Sequence, residues 1–254
     1  MPEEFITPDT TPEMTWSDKF VGILSSPGEI YQSLVGKEPK TANWAIPLVV
    51  TIIVGIIFNF AVFTQPAIQD QMSTAQHKAM QQRVDSGKMT QAQMDQALES
   101  GMSKPGSPMF LIFGSVGVML VGAFSLFAYS GFYFLGGKLF LKSAVTYSKV
   151  LEVFGLSFFV SAVATLISIV IVVAMGSIYA SLSPLLFIDD FDPSNKQHKL
   201  MAALNLLEFW GLYVAAVGLS KIWNTSLGKS LGVVGSVWLV WTMIKVFVDF
   251  GFGG

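Results

Sequence analysis

Two stretches place charges where hydrocarbon-like sequence surrounds them. Glu208 lies within LLEFWGLYVAAVGLSK (206–221), and Lys245 and Asp249 lie within VWLVWTMIKVFVDF (237–250). A charge at a bilayer centre costs about 2.5 to 3.5 kcal/mol on insertion scales, so each needs a partner or a purpose. The short segment around Asn224 and Thr225 makes the two stretches an antiparallel hairpin, in which residues equally far from the turn share a depth. Glu208 stands 17 residues before Thr225 and Lys245 stands 20 after it, so they differ in depth by roughly one helical turn. Lys245 and Asp249 are four apart, on one helix face. Two readings follow. Glu208, Lys245 and Asp249, with Asn205 nearby, form a polar cluster that ties the last two helices together; or the same groups line a polar pathway for an ion, a proton or a lipid headgroup.

Other chemistry has little to work with. The two histidines, His77 and His198, have no metal-ligand spacing around them. Asp189, Asp190 and Asp192 cluster in FIDDFDPSN (187–195), but without the spacing and glycine of a calcium loop, and they read as a solvated turn. No serine or threonine stands in a nucleophile motif, and no glycine-rich loop follows a strand. These absences point away from an enzyme, and no cofactor or metal is expected.

Composition sets the solvent. Of 254 residues, 52% are hydrophobic and 13% charged, against roughly 25% charged in ordinary soluble domains. Arg83 is the sole arginine and the net charge is −2, so there is no basic stripe for nucleic acid. With no cysteine there is neither a disulfide nor a thiolate. The opening MPEEFITPDTTPEM is acidic and lacks the apolar core of a signal peptide, so the first span is expected to serve as its own targeting signal.

Five runs are long enough to cross a hydrocarbon layer of about 30 Å: Ala45 to Thr64, Met109 to Gly136, Val153 to Met175, Met201 to Lys221 and Leu231 to Phe250. An isolated span satisfies its own amides only as a helix, so the expected fold is all-α, a five-helix transmembrane bundle. With the N-terminus inside, the inner segments hold eight basic residues and the outer ones six, spread over longer loops. That bias favours an N-terminus inside and a C-terminus outside, with Trp44 and Trp223 at the inner interface.

Residues 1–15 read as an acidic, flexible N-terminus, and 16–44 as cytoplasmic interfacial helices, two in number. Trp16, Phe20, Ile23 and Leu24 share the face of the first; Ser26, Pro27 and Glu29 give the second a capping box, leaving Ile30, Tyr31 and Leu34 to face lipid or bundle. Residues 65–108 read as an outer helical hairpin, with Ile68, Met72, Ala75, Ala79 and Met80 at helical spacing, a break at DSG, and a capping box of Thr90 and Gln93. This hairpin either caps the bundle or docks a partner through its methionines. Spans two to five occupy 109–250. Ser157, Ser161, Thr165 and Ser168 form a small polar seam on the third span, and Gly228 and Gly232 a small-xxx-small pair on the fifth, both expected to pack helices; Asn59 and Asn205 are expected to face protein.

The Pro27–Glu29 helix start, the five spans, GGKLFLKSAVTYSKVLEVFGLSF (136–158) and LNLLEFWGLYVAAVGLSKIWNTSLGKSL (204–231) together resemble the Yip (Ypt-interacting protein) family, especially its bacterial branch. The resemblance runs from about residue 20 to the C-terminus, within one membrane domain over 16–254. It implies the five-span fold with the N-terminus inside, in a bacterial inner membrane with a periplasmic C-terminus. Eukaryotic members associate with Rab GTPases, but their DLYGP-like signature is absent from residues 1–44, so Rab binding is not carried over. The expected role is a non-catalytic scaffold, assembly factor or accessory subunit in contact with the bilayer and a membrane protein partner. The alternative is a permeation or lipid-handling module around Glu208 and Lys245.

Overall fold

A computed structural model of the chain describes residues 14–99, 104–188, 191–192 and 195–248. All regular structure among them is helical: α1 (Trp16–Ser25), α2 (Pro27–Gln32), α3 (Ala42–Phe63), α4 (Pro66–Asp85), α5 (Gln91–Glu99), α6 (Pro108–Leu141), α7 (Tyr147–Met175), α8 (Lys196–Ala203), α9 (Leu206–Ile222) and α10 (Leu227–Phe247), with a 3-10 turn at Pro184–Phe187. Helices α3, α6, α7 and α10 are each long and apolar enough to cross a membrane. The fifth candidate is a bent pair: α8 and α9 qualify only together, at 50° to each other. The protein is a polytopic helical membrane protein.

The chain alternates between two ends. The near end gathers α1, α2, the starts of α3, α7 and α10, and the ends of α6 and α9; the far end gathers the hairpin, the 3-10 turn, α8 and the start of α9. The fourth expected span, Met201 to Lys221, is not continuous. Leu204 and Asn205 leave the helix, and Asn205 restarts it by accepting the Leu207 N–H at 2.9 Å. Asparagine competes for backbone donors in just this way, so a polar residue expected to face protein acts as a helix cap. Helix α6 runs past its expected end at Gly136 to Leu141, and α7 starts six residues before Val153.

Close approach at glycines sets the packing. At Gly155 of α7 an added Cβ would meet Trp44 of α3, its Cα at 2.6 Å, so these helices cross almost backbone to backbone. Gly114 of α6 makes room for Asn59 of α3, whose Nδ2 donates to Leu111 O at 2.8 Å and to Ser115 Oγ at 3.1 Å. Gly136 and Gly137 lie under Val233 and Trp223. Trp223 is therefore core rather than an interfacial anchor: its expected place at the membrane surface is taken by packing on α6. Trp44 packs edge-to-face on Phe127. Ser230 ties α10 to α9 by donating to Ala216 O at 2.7 Å.

The N-terminal helices pack against the bundle instead of lying free on the headgroups. Ile23, Ile30 and Tyr31 are buried with Leu156, Val217 and Leu219, and Phe20 meets Phe159 edge-to-face. Burial without an acceptor holds the Tyr31 hydroxyl well above the ordinary tyrosine range. The capping box expected at Ser26 and Glu29 does not form, because Ser26 also closes α1 and its side chain makes no cap bond. A box forms one helix earlier: Thr15 Oγ1 accepts from Asp18 N at 3.2 Å, and Asp18 Oδ2 accepts from Thr15 N at 3.1 Å. The bonds from Thr15 hold the Asp18 carboxyl below its ordinary value of 3.8. Thr15→Ala is expected to cost about 1 kcal/mol in thermal unfolding at neutral pH, with Ser26→Ala close to neutral. Because the Asp18 pKa is lowered on folding, its share is present above the unfolded carboxylate range and is lost as pH falls through the depressed value, so the Thr15→Ala deficit narrows in strong acid.

At the far end the hairpin is rooted in its first two turns. Ile68 is buried with Val62 and Val172; Gln69 Nε2 donates to Phe63 O at 2.9 Å, and Gln71 Oε1 accepts from Ile178 N at 2.9 Å. The Thr90 and Gln93 box is reciprocal, at 2.9 and 3.2 Å.

Candidate functional site

The far-end site grows from the break in the fourth span. Asn205 caps α9, which places Glu208 in its first turn, where the helix dipole favours a carboxylate. On α10, Trp238, Thr242 and Lys245 are spaced i, i+4, i+7 and form one face; Lys245 lies in the last turn, where a cation is favoured. Glu208 Oε1 accepts from Trp238 Nε1 at 3.0 Å. Glu208, Thr242 and Lys245 also line a cavity of about 240 Å³ with Lys199, Ala203 and Phe191. The link from α9 to α10 thus runs through an indole, and among the described residues no ion pair joins Glu208 to Lys245. Trp238 and Lys245 are seven residues apart on α10, about two turns, and Glu208 bonds the first of them. Asp249, the third member of the expected cluster, lies outside the described residues, and Asn205 is occupied as a cap.

Thr242 is 2% exposed and its Oγ1 has no hydrogen-bond partner. A helical threonine ordinarily donates to the carbonyl four residues back, as Thr165 does to Ser161 O at 2.8 Å. Leaving a buried hydroxyl unmatched costs about 1–3 kcal/mol.

A second polar assembly, which the sequence reading missed, closes the near end. Glu152 of α7 is 1% exposed; its Oε1 accepts from Asn43 Nδ2 at 2.6 Å and Lys40 N at 2.9 Å, and its Oε2 accepts from Lys149 Nζ at 2.6 Å. Lys149 Nζ also donates to Lys37 O at 2.9 Å, and Lys19 Nζ of α1 donates to Asn43 Oδ1 at 2.7 Å. One carboxylate therefore joins α7, the start of α3 and the strap between α2 and α3, with α1 tied on through Asn43. The readable signal was Lys149 and Glu152 three apart at the mouth of a span, which would put them on one helix face.

The packing residues divide. Ser157 is buried, but its hydroxyl donates to Phe154 O at 2.6 Å, within its own helix. Thr165 and Ser168 likewise bond carbonyls four back, and Ser161 is exposed. Among the described residues the seam makes no hydrogen bond across helices, because the hydroxyls of Ser157, Thr165 and Ser168 each find a carbonyl of their own helix first. Gly228 and Gly232 are exposed, with nothing within 4 Å of an added Cβ, so within this chain they pack against no helix. His77 is exposed, and His198 accepts from Asp192 N at 3.0 Å while stacking on Phe191. Asp189 and Asp190 lie outside the described residues.

Four long apolar helices, a bent pair at the fourth expected span, and polar clusters at the two ends with an apolar layer between them mark a multi-pass membrane protein. The Yip1 domain matches residues 21–248, and the chain belongs to that family of membrane proteins. No curated protein and no solved structure matches the chain.

Proposed function

We propose that the protein acts without catalysis as a membrane scaffold or assembly partner, holding another membrane protein through its spans and far-end hairpin. The observation that carries this reading is the filling of the space between its two polar ends. Among the described residues, Glu152 and Glu208 are separated by packed apolar side chains, including Leu156, Val160, Val214, Ala216 and Val234, which supports a sealed core rather than a route for water or ions. The lysine bias further supports placing the near end in the cytoplasm and the C-terminus on the periplasmic side of a bacterial inner membrane. Rab GTPase binding has no support in residues 1–44.

The absence of native cysteine makes the test clean. Single-cysteine variants Gln32→Cys, Gln82→Cys and Ala216→Cys are treated with a membrane-impermeant maleimide from each side in oriented vesicles. Gln32→Cys should label only from the cytoplasmic side, Gln82→Cys only from the opposite side, and Ala216→Cys from neither. A photo-crosslinker at position 82 should then yield a discrete protein adduct. Labelling of Ala216→Cys, or crosslinks to lipid alone, would reject the scaffold reading.

A further inference from the structure

The far-end cavity contains more polar capacity than the described residues satisfy. Glu208 Oε1 is taken by Trp238, which leaves Oε2 free to accept. The Thr242 hydroxyl is buried without a partner beside it, and two ammonium groups, Lys199 and Lys245, share the lining. Two cations, one carboxylate oxygen and one hydroxyl match a phosphate ester that carries a donor at its far end. We propose that this cavity binds a phosphoethanolamine-type group, with the phosphate between Lys199, Lys245 and Thr242 and the primary ammonium on Glu208 Oε2. This goes beyond the scaffold reading and does not depend on it.

Depth and size support a lipid as the source. Lys245 is in the last turn of a helix about 31 Å long, and so lies at the level where a spanning helix meets headgroups. At about 240 Å³ the cavity is smaller than the roughly 300–1,000 Å³ of sites that enclose a drug-sized molecule. It suits a headgroup whose chains remain outside, beside the exposed Leu206 and Phe247. Broken spans commonly place binding groups at half-helix ends because unpaired backbone is tolerated at membrane depth only there or beside water.

The experiment follows the thermal midpoint of purified full-length protein in detergent micelles doped with phosphatidylethanolamine, phosphatidylcholine or diacylglycerol, and separately with soluble glycerophosphoethanolamine. Phosphatidylethanolamine is expected to raise the midpoint most. Phosphatidylcholine, whose quaternary nitrogen has no N–H for Glu208, should do less, and diacylglycerol nothing. Lys245→Met and Thr242→Val should each raise the half-saturating lipid concentration about tenfold, the loss expected for one charge-assisted or buried hydrogen bond. Thr242→Val is nearly isosteric, so it reads the site even if Lys245→Met does not fold. An equal shift from glycerophosphoethanolamine would keep the site and assign it to a soluble phosphate ester. No shift, an equal shift from diacylglycerol, or a lipid shift unchanged in Thr242→Val would overturn the proposal.

Discussion

Glu152→Ala is expected to cost about 3–5 kcal/mol, the range for removing one partner of a buried ion pair. The loss exceeds that of the bonds alone, because Lys149 stays buried as an uncompensated charge while Asn43 Nδ2 and the Lys40 N–H lose their acceptor. Lys149→Met should be similarly damaging, since it leaves Glu152 charged at 1% exposure. The double variant Lys149→Met, Glu152→Ala should be more stable than either single variant, though short of the parent. Thermal unfolding in detergent, followed by size-exclusion fluorescence, measures the cycle. Single losses that simply add in the double variant would show that the two side chains are not coupled.

Gly155→Ala is the second large effect. The added methyl would meet the Trp44 backbone, with Cα at 2.6 Å, and no rotamer change relieves a contact with main chain. Helices α3 and α7 must move apart, and overpacking of this kind costs about 1–3 kcal/mol. Gly228→Ala is the matched control: with nothing within 4 Å it should be neutral, or stabilising by up to about 1 kcal/mol through helix propensity. Equal midpoints for the two alanine variants would mean that the α3–α7 crossing is not as close as described.

What the sequence made legible was whatever depends on periodicity and solvent. Continuous apolar runs located the four intact spans within a few residues, and the Thr90 and Gln93 box was readable from its spacing. Choices between nearby partners were not readable. Glu208 had both Trp238 and Lys245 within about a turn of its depth, and periodicity alone does not say that it bonds the indole. Ser26 had the right neighbours for a cap but was already committed to ending α1. The Glu152 network was hidden for another reason: apart from Lys149, its members are residues 19, 37, 40 and 43, more than a hundred positions from Glu152, and spacing says nothing about contacts at that range. The small residues of α7 and α10 fit a packing pattern, but a pattern does not reveal whether a helix face meets protein or lipid.

Helix α6 has a consequence for the bilayer itself. Its 34 residues extend about 51 Å, and even at a tilt of about 40°, the upper end of what spans adopt, it covers about 39 Å of membrane normal against a hydrocarbon core of about 30 Å. Leu139 and Phe140, exposed at its near end, are carried up to the headgroups. Helix α9, beyond the break, is about 25 Å long. One helix packs on α3, α7 and α10, the other on α2, α7 and α10, so a tall flank and a short one belong to the same small bundle. Mismatch of this kind is met by tilt, snorkelling or local change in lipid thickness, at a fraction of a kcal/mol per Å. A bundle built from helices of such unequal length presents a girdle of uneven height, which a bilayer of uniform thickness matches only by local adjustment.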